Sequence, residues 1–372
     1  MFGGGLSRIT IVIPTFGRPR FLMRQIAYWK NSDAKVVILD GSPTPVSIPP
    51  TMMSPNIRYV HSGGSFPTRI VSAGEYVSTP YCAMLSDDEF FTFSGLRASL
   101  SRLDTDPTIV GCVGRCQYFF VDQQRFLLKD AYREWKPFSP AAVTQSLRLD
   151  EDLPPNKTHM AHYAVMRSNV WKDVILNAYS QTFSCAYSYE RLVNLRRTIL
   201  GRTEILEDLL WFRSMENRNI TTSTASGPNF LAWVRSPEYS GEIGEYRRIA
   251  TRLLVEGGVD PLEAKEFEHR WFSVGVDQTI LRKSKLRKRF RDWYRQKLLV
   301  WSPKWFRLFV KRHLPNRLLE FSGWQGYGLD EMCDSLASRG TRFDREEIEL
   351  IMELSLATAR DLTADTNQSN AQ

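Results

Sequence analysis

The 372-residue chain has no run of about 18 apolar residues, so no helix is expected to span a bilayer. Its first apolar run, Ile9 to Ile13, is too short for a secretory leader and follows no basic stretch. These absences lead to the expectation of a cytoplasmic protein. Paired cysteine spacing is missing too. Cys82, Cys112, Cys116, Cys185 and Cys333 are odd in number and show no C-x-x-C, which argues against a disulfide framework and a zinc knuckle. Gly63-Gly64 lacks the G-x-G-x-x-G spacing of a dinucleotide site. Asn156-Lys157-Thr158 fits a glycosylation sequon, which has no meaning without a secretory route. No internal repeat is visible.

Aromatic residues are plentiful, with 21 Phe, 14 Tyr and 10 Trp, and a chain so composed folds rather than staying disordered. Its length suits one large α/β domain with an appendage, or two domains. The net charge of +8 is local. Between Leu281 and His313 stand 13 Lys or Arg against one acid, Asp292, so this segment carries +12 and the rest sums to −4. A protein built throughout for nucleic acid would spread its basicity more widely.

Arg8 to Pro14 and Lys35 to Asp40 are β-branched runs that enclose a helical stretch, Phe21 to Lys30, which makes a βαβ unit. Ile57 to His61, a helix near Pro67 to Tyr76, and Pro80 to Leu85 repeat the alternation. The fold class predicted is α/β, a mostly parallel sheet flanked by helices. Further strands are expected at Thr108 to Cys116, Gln117 to Asp122 and His162 to Arg167, with a polar connection from Pro137 to Lys157. Leu206 to Met215 reads as a helix with acids in its first turn. Asp260 with Pro261, and Ser302 with Pro303, start later helices, and Asp344 with Glu347 forms a capping-box pattern. The division expected is a catalytic domain over 7–235, a helical region over 236–362, and a disordered tail over 363–372.

Ligands of parallel sheets bind beyond the carboxyl ends of the strands, where Asp40 and the triplet Asp87, Asp88 and Glu89 fall. Three adjacent acids repel unless a cation neutralises them, and their hard oxygens suit Mg²⁺ or Mn²⁺; the plainer reading is a solvated loop. His159 and His162 offer no third ligand and read as structural or surface residues.

ITIVIPTFGRP, VVILDGS, YCAMLSDDEFF and EILEDLLWFR resemble, in order and spacing, the successive motifs of the family 2-like glycosyltransferases of the GT-A fold, over residues 8 to 235. The resemblance implies a metal-dependent enzyme that moves a sugar from a nucleotide diphosphate to an acceptor hydroxyl. Pro14, Thr15 and Arg18 then meet the nucleotide, and Asp40 the base or ribose. Arg69 faces the diphosphate, Asp87 the ribose or sugar, and Asp88 or Glu89 holds Mn²⁺ or Mg²⁺. Ser86 and Glu89 depart from the family's acids, which leaves the register of the metal motif open. Glu207 and Asp208 resemble its Glu-Asp pair, with Asp208 as general base and an inverting displacement. The alternative for this pair is two acids favoured by a helix dipole.

Two rivals stand beside this reading. A sugar nucleotidyltransferase needs a Gly-rich loop ending in arginine after its first strand, which Ile13 to Arg18 does not supply. A non-catalytic membrane- or nucleic-acid-binding protein would not need acids at 40, 87–89 and 207–208. The basic segment 281–313 interleaves aromatic and basic residues. Leu286, Phe290, Tyr294, Leu298 and Trp301 form a helical stripe that suits either an anionic membrane surface or packing on the catalytic domain. Nucleic acid is the weaker partner. Peripheral attachment at the inner face of a membrane would suit a glycan or lipid-linked acceptor in cell-surface polysaccharide synthesis.

Overall fold

The computed structural model describes residues 4–122, 125–130, 162–216, 227–284, 325–326 and 328–369. His159, the 156–158 sequon, the 137–157 connection, the Ser302-Pro303 start and the basic segment beyond residue 284 lie outside them.

Alternation along the first strands creates the layers. β1 (Ile9–Thr15) pairs in parallel with β2 (Lys35–Asp40) on one side and β4 (Tyr81–Met84) on the other. β3 (Ile57–His61) extends the parallel set beyond β2. β1, β2 and β4 are buried on both faces and are nearly unbroken apolar runs, whereas β3, at the edge, is half-exposed. Successive side chains then enter opposite cores. Ile9, Ile11, Ile13, Val36, Ile38, Tyr81 and Ala83 join one, and Val12, Val37, Leu39, Cys82 and Met84 join the other.

The first core is covered by α1 (Pro19–Trp29) and α3 (Phe93–Thr105), and the second by α2 (Phe66–Ser72), α4 (Ser168–Tyr179) and α5 (Ala186–Leu200). The helices from residue 230 onward divide between the two faces. α6 (Phe230–Arg235), α7 (Ser240–Glu256) and α8 (Pro261–Ser284) add Trp233, Tyr246 and Trp271 to the second core. α9 (Leu329–Ala337) and α10 (Arg345–Ser369) return to the first with Met332, Ile348 and Ile351. α10 runs to Ser369 across the stretch expected to be disordered, because an anchored helix gains one hydrogen bond for each residue it adds.

Past β4 the sheet becomes mixed. β8 (Val165–Arg167) is antiparallel to β4 and to β6 (Ile109–Asp122), and β7 (Arg125–Asp130) forms a hairpin with β6. The two strands expected between 108 and 122 are thus one. β9 (Arg202–Ser214) lies parallel along the other edge of β6, with β5 (Phe90–Phe91) antiparallel beside it, and β10 (Gln325–Gly326) borders β7. Among the described residues, β1 to β4, β6, β9 and β10 run one way and β5, β7 and β8 the other.

β9 overturns the expected helix over Leu206 to Met215. A short apolar run suits either form, and here the open edge of β6 takes it as a strand. Val113 pairs with Ile205 and Arg115 with Leu209, so Leu206, Glu207 and Asp208 bulge opposite Gly114. A side chain at Gly114 would strike Leu210 and the Asp208 carbonyl.

The capping box at the start of α10 is also half right. Asp344 accepts from the N–H groups of Glu346 and Glu347 at 3.0 and 3.4 Å. Glu347 does not reach back to Asp344. Its buried carboxylate crosses to the first turn of α3, taking the Phe93 N–H, the Ser94 N–H at 3.1 Å and the Ser94 hydroxyl at 2.7 Å. A negative charge at a helix N-terminus is stabilised by unpaired amides and the dipole, and here it also ties α10 to the sheet layer. Glu347→Ala should therefore lower stability by about 2 kcal/mol, by leaving buried donors unpaired, and Glu347→Gln by less. Urea unfolding followed by circular dichroism measures this; an alanine variant as stable as the parent would contradict it.

Candidate active site

β1 and β2 end level with each other, Thr15 beside Asp40, and the turn of Ser86 to Glu89 follows β4 at the same edge. The chain steps outward from β1 through β2 to β3 and then returns to lay β4 on the other flank of β1. The crevice of an α/β sheet opens at such a reversal.

On the β2 side, both oxygens of Asp40 are engaged. Oδ1 accepts from the Ser42 N–H at 2.8 Å and from its hydroxyl, and Oδ2 from the Tyr59 hydroxyl at 2.6 Å. Burial opposes the ionised carboxylate, but the donors Ser42 and Tyr59 win and hold it below the usual range. Gly17, at φ +65°, turns the chain after β1 so that its N–H reaches the Ser42 hydroxyl at 2.8 Å. Arg69 lies across Gly41, where any side chain would overlap its guanidinium. It donates to the Gly64 carbonyl at 2.7 Å, while its buried Nε has no partner. Burial lowers its pKa against the pull of Asp40, so this cation stands ready for an anion.

On the β4 side the three acids have different surroundings. Asp87 accepts from the Thr15 hydroxyl and from Arg18, both at 2.6 Å. Burial, with Asp88 beside it, pushes its carboxyl up to about 6, although Arg18 and Thr15 pull it down. Arg18 also lies 3.4 Å from Asp88, whose side chain keeps 12% of its surface exposed, against 4% for Asp87 and 6% for Glu89. Glu89, expected as a metal ligand, faces away from Arg18: Oε2 accepts from the Trp211 indole N–H at 2.9 Å, and Arg213 stands 3.8 Å from Oε1. Burial leaves its carboxyl well above its ordinary range.

Among the described residues no three His, Cys, Asp or Glu side chains form a metal-binding group. Asp88 fits the mode in which Mg²⁺ or Mn²⁺ takes one or two carboxylates and draws its remaining ligands from substrate phosphates and water. Glu89 turns one oxygen to Trp211 and the other toward Arg213, inside the fold.

α1 fixes the backbone of the triplet through residues that sequence inspection missed. Arg24 donates to the Asp88 carbonyl at 2.7 Å, and Gln25 to the carbonyls of Asp87 and Glu89 at 3.0 and 2.7 Å. Arg24 is itself held over Phe21 and Phe90, and at 2.9 Å by Glu216. Burial raises the Glu216 carboxyl above its ordinary range against the pull of Arg24. Two polar residues on one buried helix face were the available signal for Arg24 and Gln25. Glu216 offered none.

Glu207 and Asp208 do not join this cluster. They lie in the β9 bulge rather than at a helix start, and Arg115 takes Glu207. Arg342 takes both oxygens of Asp208, at 3.0 and 2.6 Å. Three residues, about 10 Å of strand, separate Asp208 from Trp211, which donates to Glu89 of the triplet. The structure thus brings Thr15, Arg18, Asp40, Arg69, Asp87 and Asp88 to one edge, with Pro14 in β1, and places Glu207 and Asp208 in the β9 bulge, paired with Arg115 and Arg342.

No family model matches the chain, and no curated protein matches it in sequence. Similar solved structures include S. aureus TarS residues 1–349 in complex with UDP-GlcNAc, at 13% identity and a TM-score of 0.48, and in complex with UDP, at 10% and 0.45. Each likeness covers 76% of this chain and 77% of the other. Resemblance this distant fixes neither family nor activity.

Proposed function

We propose that the protein is a glycosyltransferase that moves a sugar from a nucleoside diphosphate to an acceptor hydroxyl. The observation that carries the reading is the meeting of two anchored carboxylates, Asp40 and Asp87, with two cations, Arg18 and Arg69, at the reversal point between β1 and β4. A nucleoside diphosphate is neutral and hydroxyl-rich at its ribose and anionic at its phosphates. Asp40 and Asp87 suit ribose hydroxyls, which donate, and Arg69 and Arg18 suit phosphate oxygens, which accept.

In the transfer, a base takes the proton of the acceptor hydroxyl, and the freed oxygen attacks the anomeric carbon. The bond to the diphosphate breaks, and the diphosphate leaves with the electron pair. Arg18 and Arg69 stabilise its growing charge. A divalent ion held between Asp88 and the diphosphate would neutralise that charge further. Attack opposite the leaving group inverts the anomeric centre.

The base is the point at which the proposal departs from the sequence motif. Arg342 holds both oxygens of Asp208, whereas Arg24 and Ser214 both meet Glu216 at Oε2, and burial raises the Glu216 carboxyl above its ordinary range. Glu216→Gln should then bind the donor nucleotide and lose about 10² to 10⁴ of transfer, and Asp208→Asn should lose much less. Transfer or donor hydrolysis assayed on both variants decides it. The reverse order returns the role to Asp208, and a product of retained stereochemistry rejects direct displacement for either.

Docking of the basic segment 281–313 on anionic lipid, with a glycan or lipid-linked acceptor in surface polysaccharide synthesis, belongs to the same proposal. The protein should sediment with anionic but not neutral liposomes and release as salt rises. Equal recovery in the supernatant with both would remove the membrane from the account.

A further inference from the structure

β8 is antiparallel to β4, so Tyr163, two residues before it, stands beyond the carboxyl end of β4, level with the acidic turn. Its hydroxyl lies 3.0 Å from that of Ser86, which opens the turn. Its ring stacks on Trp211 at 4.2 Å, and Trp211 holds Glu89. Next to it, His162 packs edge-on to Tyr163 and to Tyr179, with its Nε2 3.2 Å from the Tyr179 hydroxyl. Phe66, at the first turn of α2, closes the row edge-on to Tyr179.

Two features set this row apart from ordinary core. Tyr179 and Trp211 back it and are buried, but Phe66 is 40% exposed and His162 and Tyr163 are only half-buried. The Nδ1 atom of His162 is enclosed and has no hydrogen-bond partner. Native proteins rarely leave such an atom unpaired without a ligand or water to meet it. A half-open aromatic surface with isolated polar atoms is the composition of a small-molecule site. It lies along the acidic turn, where the reacting carbon of a bound donor would sit.

We infer that this row is the acceptor subsite and that its ligand is a saccharide. A pyranose ring carries one face of C–H bonds, whose slight positive charge suits the negative face of an aromatic ring. Its hydroxyls can exchange hydrogen bonds with Tyr163 and Ser86, beside the His162 ring. The inference rests on the sugar-transfer reading above, because it takes the donor to occupy the crevice between Asp40 and Asp88.

Saturation-transfer NMR on the full chain tests it with UDP, GDP and the methyl glycosides of glucose, galactose and N-acetylglucosamine as probes. At least one glycoside should receive magnetisation on its ring protons. Phe66→Ala and His162→Gln should each weaken that glycoside by about tenfold while leaving the nucleotide signal in place. Tyr163→Phe, which keeps the stacked ring, should retain most of it. Nucleotide binding without any glycoside binding, or glycoside binding that the variants do not change, overturns the subsite and spares the donor site. Loss of nucleotide rather than glycoside in Phe66→Ala makes Phe66 a base-stacking residue instead. If neither class of probe binds, the sugar-transfer reading fails with it.

Discussion

A buried carboxylate between β1 and β4 organises this edge of the molecule. Asp87 has its oxygens on Thr15 at the end of β1 and on Arg18 at the entrance to α1. One side chain therefore locks the first strand, the first helix and the turn after the fourth strand together. Burial makes that carboxylate expensive to ionise, as its raised pKa records, and only the paired arginine and hydroxyl make it tolerable. A fold that needed only a stable turn here would have used a neutral residue. A buried, strongly perturbed acid at the mouth of a crevice is a candidate for contact with a ligand.

Around it, the molecule reinforces the edge from behind. Arg24 and Gln25 hold the carbonyls of residues 87 to 89, and Trp29 in turn donates to Gln25 at 2.9 Å. On the far side of α3, Glu347 returns from the end of the chain to cap the helix that follows the triplet. The site thus stands on strands and helices tied to one another by these bonds, and Arg18 and Asp88 keep more side-chain surface open than Asp87 does.

The parallel half of the sheet was legible because its signals are local. Unbroken β-branched runs ending in Pro14-Thr15 and Asp40 give strands whose carboxyl ends share one edge, which placed Asp40 and the 87–89 triplet there, whereas Thr15, Arg18 and Arg69 were named only through the resemblance of the motifs. The element that carries Glu207 and Asp208 was misread as a helix for the opposite reason. Whether ILEDLLWF is helix or strand depends on the free edge of β6, some 90 residues earlier, and on Gly114 allowing β9 to approach. Glu89 shows the same limit. Adjacent acids look equivalent in sequence, yet the indole of Trp211 and the guanidinium of Arg213 commit this one to the interior.

The most direct measurement of the account is Asp87→Asn, read by stability and by nucleotide binding together. Asp87 titrates near 6 in the folded chain against 3.8 unperturbed, so folding favours its protonated form; the native protein loses stability as pH rises through that window, and the asparagine variant does not. The variant should match the parent near about pH 4 and exceed it by roughly 1–3 kcal/mol above about pH 7. Calorimetry at neutral pH should show UDP or GDP binding to the parent, weakened by EDTA, and lost in the variant. An Asp87→Asn protein that is less stable at neutral pH, or that binds nucleotide as well as the parent, would contradict the central claim that this acid is kept for its ligand.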